Sequence, residues 1–170
     1  EQANILQQNL TSKYNTSKNQ FIIDIDAILD DLIFKTGTAN KFEEAIKQLG
    51  FFLGFVAQRP ENDFGRGPDN LWIGGKQNYF VIECKNGVTN PIINKHDMNQ
   101  LNGSVAWFKK EYHDIGTVLP FMIHLGDICE FGATPLPECK VMTIEKLEVF
   151  KTNIKNCMYA LKDNFNNLDE

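Results

Sequence analysis

The chain has 170 residues, 42% hydrophobic and 23% charged, which suits one domain with a substantial core. No run nears the roughly 18 apolar residues of a bilayer span and no signal peptide is recognisable, so no membrane partner is expected. The net charge of −5 does not itself suggest nucleic acid, although an acidic protein can still carry a basic face.

Cys84, Cys129, Cys139 and Cys157 are scattered without a CxxC pair. That spacing favours neither zinc nor a disulfide framework, and the expected location is a reducing cytoplasm. Beginning at Glu1 inside a polar stretch, the chain is expected to be a module of a longer protein.

Residues 1–20 are rich in Asn, Gln, Ser and Thr and read as either a polar N-terminal helix or a linker. From 21 onward one domain is expected. Ile22, Ile25, Leu29 and Leu32 recur at helical spacing and predict an amphipathic helix ending near Gly37. A second helix is predicted from Asn40, with Phe42, Ile46, Leu49 and Leu53 on its apolar side, followed by a short strand over 55–58. Residues 59–68, RPENDFGRGP, read as a turn-rich loop.

Leu71–Ile73 and Tyr79–Lys85 read as two strands of a hairpin around Gly74-Gly75. Residues 97–112 are predicted helical, striped by Leu101, Val105, Phe108 and Tyr112. Val118–Leu125 reads as a buried strand, 126–142 as a Pro/Gly-rich loop, and a last helix begins near Thr143. The fold class expected is α/β: a central mixed β-sheet flanked by α-helices, with extra helices at both ends.

The segment GRGPDNLWIGGKQNYFVIECKNG carries the chemistry. Alternate residues of a strand share a face, so Glu83 and Lys85 project together while Ile82 and Cys84 face the other way. Asp69 stands just before the partner strand, where hairpin pairing brings it to Glu83. Two such carboxylates repel, and a hard divalent cation such as magnesium relieves the repulsion. Lys85 is suited to orienting an attacking water or stabilising developing negative charge. The backbone carbonyl of Cys84 is a further candidate ligand.

Pro68-Asp69, a spacer of thirteen residues and then Glu83-x-Lys85 resembles the PD-(D/E)xK nuclease superfamily. The superfamily's preceding-helix glutamate is matched by Phe42-Glu43-Glu44, with Glu43 the preferred equivalent, and its following-helix glutamine by Gln100. Ser104 stands where one recombination-nuclease branch has tyrosine, which argues against that branch. The resemblance covers roughly residues 40–125. It implies a restriction-endonuclease-like fold, Mg2+ or Mn2+ as cofactor, and nucleic acid, DNA above all, as substrate.

By the same resemblance Asp69, Glu83 and the Cys84 carbonyl hold the metal, with Glu43 assisting directly or through water. Lys85 serves the attacking water and Gln100 supports the site. The implied setting is a restriction, defence or helicase-linked system, with a helicase or another subunit as partner; a homodimer is compatible.

Each residue also has a plainer role open to it. Asn40 as N-cap would make Glu43 a capping-box partner. Pro68-Asp69-Asn70 is an ordinary turn sequence. Glu83 and Lys85 would form a solvated cross-strand pair on an exposed face, Gln100 a boundary residue, and Lys95, Lys109 and Lys110 a solvated charge run. Trp107 and Phe108 are expected in the core, and His96, His113 and His124 have no ligand-like spacing. At the level of function, the alternative is a catalytically silent or partner-dependent binding domain on the same fold.

Overall fold

The computed structural model describes residues 2–14, 17–113 and 115–163. Residues 164–170, part of the domain expected from the sequence, lie outside the described residues. The polar N-terminus forms helix α1 (Gln2–Tyr14), docked through buried Leu10 and Tyr14. Helix α2 (Lys18–Asp31) starts at Ser17, whose hydroxyl accepts the N–H of Gln20. It ends earlier than Gly37, and Gly37 instead closes the turn leading to α3 (Ala39–Phe52).

Strand β1 (Val56–Gln58) follows α3. The segment expected as loop contains a short helix, α4 (Pro60–Phe64). Pro60 at its first position and Glu61 and Asp63 in its first turn are favourable helix-start residues. Then come β2 (Asn70–Gly74) and β3 (Asn78–Cys84), joined by a 3-10 turn, with β4 (Ile92–Ile93) after them. Helix α5 (Lys95–Glu111) leads to β5 (Thr117–Ile123). The expected loop after β5 contains β6 (Ile128–Cys129) and β7 (Lys140–Met142) before the last helix, α6 (Ile144–Asp163).

Five strands form one mixed sheet in the order β1-β2-β3-β5-β7, and β4 pairs with β6 in a small separate sheet. The meander β1-β2-β3 is antiparallel, while β3-β5 and β5-β7 are parallel. The protein is thus an α/β fold with helices on both faces of a mixed sheet.

Strand alternation sorts the core into two layers. Trp72, Ile82, Cys84 and Ile123 meet α1, α2, α3 and α6 on one face. Leu71, Tyr79, Val81 and Met122 meet α5, through Met98, Leu101, Val105 and Phe108, on the other. Phe108 is fully buried and Trp107 packs at the edge of the second layer, as core residues. No helix among the described residues is long and apolar enough to cross a membrane.

Candidate active site

The hairpin register places the first site pair. Asn70 opposes Ile82, so Asp69, one residue before β2, comes level with Glu83 on β3. Asp69 follows the face of Leu71, and Glu83 and Lys85 that of Val81, so all three point to the α5 side of the sheet. They sit where β2 has not yet begun and β3 is ending. There the pairing partner of the Cys84 N–H is not backbone: Asp69 Oδ2 accepts it at 2.7 Å.

The chain leading to Asp69 is shaped by two glycines. Gly65, at φ 69°, caps α4 with its N–H on the Glu61 carbonyl at 2.8 Å. Gly67, at φ 100°, lies against the Trp107 ring, where a Cβ would come within 2.9 Å of ring carbons.

Asp69 and Glu83 are 7% and 3% exposed, so Glu83 is not part of a solvated pair on an exposed face. Both carboxylates are costly to bury and each finds partial compensation. The buried hydroxyl of Ser104, on α5, donates to Glu83 Oε1 at 2.6 Å, and Lys85 Nζ lies 3.4 Å from Glu83 Oε2.

Burial, and then the charge of Glu83, lift the Asp69 carboxyl from its ordinary 3.8 to about 6, against the opposing Cys84 N–H. Burial also raises Glu83, with Ser104 and Lys85 pulling the other way. Burial alone would lower the Lys85 ammonium, but Glu83, Asp69 and Asp97 outweigh it and leave it above its ordinary value.

Helix α5 is oriented toward this cluster by its first turn. Asn94 caps it, accepting the Asp97 N–H at 2.9 Å and donating to Asp97 Oδ2 at 2.8 Å. This holds the buried Asp97 on the turn nearest Lys85. Gln100 lies on an adjoining turn but is exposed, and no hydrogen bond joins it to the cluster. Ser104, one turn further along, makes the contact with Glu83 instead.

Glu43 is brought near Asp69 on α3, close enough to add to the negative field there. Asn40 is not its helix's N-cap; Thr38 occupies that position without a side-chain cap bond, so the capping-box role falls away. The Glu43 carboxylate is instead paired with Arg59 Nη2, while Arg59 Nη1 lies 3.3 Å from Glu44 Oε2. Asn70 Nδ2 donates to the Glu43 backbone carbonyl at 3.1 Å, tying α3 to β2. Glu61, on α4, lies beside Asp69, and its interaction with that carboxylate above all holds its own carboxyl above the usual range.

Arg59, Glu61, Asp97 and Ser104 join the cluster without a sequence motif that marks them as site residues. Arg59 and Glu61 stand next to Pro60 in a stretch whose composition reads as loop. Ser104 meets its partner 21 residues away in the chain, a contact only tertiary packing creates.

The cluster's donors are hard oxygens. Lys85 N bonds the Ile123 carbonyl at 2.8 Å, so residue 84 directs its backbone groups to the opposite edge, the Asp69 side. The Cys84 carbonyl thus leaves β3 beside the two carboxylates. Among the described residues no group of three or more His, Cys, Asp or Glu side chains is gathered as a metal cage. Two buried carboxylates and a backbone carbonyl are the set on offer. That set fits Mg2+ or Mn2+, which bind through one or two carboxylates and fill their remaining positions with water and substrate oxygens.

Compared with models of known protein families, with curated proteins and with solved structures, the chain matches none of them.

Proposed function

We propose that this chain is a metal-dependent nuclease domain of the PD-(D/E)xK type, hydrolysing phosphodiester bonds in DNA. The observation that carries the reading is the gathering of buried Asp69 and Glu83 with the partly buried Lys85 at the end of β3. Two carboxylates here face one lysine, and both are pushed toward the protonated form. Such perturbed groups gathered at one place mark functional sites. The helix, three-strand meander, helix and parallel strand from α3 to β5 support the restriction-endonuclease-like reading of the fold.

Asp69, Glu83 and the Cys84 carbonyl would hold a magnesium or manganese ion. That ion supplies positive charge to polarise a phosphoryl oxygen and make a water more acidic. The rest is the work of the chain. The Cys84 N–H fixes the Asp69 carboxylate and Ser104 fixes that of Glu83, so neither must reorganise during the reaction.

Lys85 stays charged beside them and donates to whatever anionic or water oxygen enters between the carboxylates and α5. Proton movement falls to the carboxylates, Lys85 and water. A restriction, defence or helicase-linked setting follows from the same family reading.

The test is cleavage of supercoiled and linear DNA with Mg2+ or Mn2+, comparing wild type with Asp69→Ala and Lys85→Ala. Cutting that needs the metal and falls by about 10²-fold or more in each variant is expected. Metal-dependent cutting that survives both substitutions would sink the site. Absence of cutting with metal still bound through Asp69 would favour the partner-dependent form of the same domain.

A further inference from the structure

We infer that the site takes one divalent cation and not two, because Arg59 already stands as a resident cation on its Glu43 side. The inference rests on the metal-dependent reading above and concerns how many ions the cluster holds.

The acidic groups fall into two sets with different compensation. Glu43 and Glu44 share the guanidinium of Arg59, one through each terminal nitrogen. The Arg59 side chain is only 5% exposed, and its planar guanidinium brings a full positive charge to both carboxylates. Among the described residues its buried Nε has no partner, so the arginine is retained at some polar cost, held by the two carboxylates. Asn70 holds the backbone carbonyl of Glu43, fixing the turn of α3 that carries it. Glu43 is thus pinned from both its backbone and its side chain.

The second set is Asp69 and Glu83. Lys85 offers a single ammonium to the pair, Asp69 accepts the Cys84 N–H, and Glu61 adds further negative charge beside it. Uncompensated negative charge is therefore concentrated between Asp69 and Glu83, where one divalent ion balances it. A second ion on the Glu43 side would have to displace Arg59 or sit beside it, placing a double positive charge next to a buried single one. Glu43 consequently supports the site through Arg59 and is not a ligand.

The experiment is a calorimetric titration of the metal-free protein with Mn2+, on wild type, Glu43→Gln and Arg59→Met. Circular dichroism checks that each variant is folded. The expected result is one Mn2+ per wild-type chain, affinity within about threefold of wild type in Glu43→Gln, and a second ion admitted by Arg59→Met. Two ions in wild type, or a tenfold or greater loss of affinity in Glu43→Gln, would overturn the inference while leaving the nuclease reading intact. A folded Arg59→Met that binds one ion overturns the part assigned to Arg59. Should Arg59→Met not fold, the wild-type and Glu43→Gln titrations decide alone. No Mn2+ binding in wild type removes the metal site itself, and the inference with it.

Discussion

On one face of the sheet, four helices build a thick apolar layer in which Tyr14, Phe21 and Phe52 meet edge-on or tilted at 5.3–5.9 Å. On the other, α5 covers the strands, and its layer gives way at one end to Asp69, Glu83, Lys85, Asp97 and Ser104. The strands are shared, so Ile82 and Cys84 point into the first layer while Glu83 and Lys85, between and beyond them, point into the polar end of the second. Stability and chemistry are divided by the period of the strand. The thick layer lets the other face bury charge that a thinner fold would not carry.

The comparison is broken most forcefully from the thick side. Phe42, fully buried beneath α2 and beside Phe34, is in the first layer only. Phe42→Ala should cost about 3–5 kcal/mol, read as a lower midpoint in urea with an unchanged slope. A cost below about 1 kcal/mol would mean that the four-helix layer does not carry the fold.

The charged end predicts the opposite sign. Asp69 has a folded pKa of about 6 against an ordinary 3.8. Between those values the folded protein binds more protons than the unfolded one. Its stabilising contribution is therefore complete below about pH 4 and is lost as pH rises through about 6. The loss above pH 6 is on the order of 3 kcal/mol.

Asp69→Asn keeps an acceptor for the Cys84 N–H but cannot ionise. Without divalent metal it should unfold at higher temperature than wild type at pH 7 and match it near pH 4. With saturating Mg2+ the order at pH 7 should reverse, because only wild type gains from the ion. A variant less stable at pH 7 in chelator would show that Asp69 is well compensated and not strained.

What could be read in advance follows the same division. The amphipathic helices and the β2-β3 hairpin announce themselves by period, and the hairpin carries with it the meeting of Asp69 and Glu83. The three-residue β7 does not: Lys140–Met142 lies among prolines and glycines and becomes a strand by pairing with Phe121–Ile123. Helix α4 was hidden for a related reason, since the glycines following it dominate the composition although Pro60 and Glu61 favour a helix start.

Glu43 could be picked out as a candidate, but its bond to Arg59 spans a loop and a strand. Pairings between elements leave little mark in a single sequence, and the residues that compensate the buried carboxylates are of that kind.

Ser104 and Gln100 give the smallest effects and the sharpest contrast, being four residues apart on one helix. Ser104→Ala removes the hydroxyl that donates to Glu83 Oε1 and leaves a buried acceptor short of a donor, a cost of about 1–3 kcal/mol. Gln100 is exposed and bonded to nothing in the cluster, so Gln100→Ala should change stability by less than about 0.5 kcal/mol.

Their effects on function should diverge in kind as well as size. Ser104→Ala loosens the Glu83 carboxylate and should weaken Mn2+ binding before any substrate is present. Gln100→Ala should leave Mn2+ binding unchanged and register only in the KM for DNA, since an exposed amide at the edge of the site meets substrate or nothing. Equal losses of Mn2+ affinity in the two variants would mean that α5 presents a different face to the carboxylates, with Gln100 and not Ser104 holding Glu83.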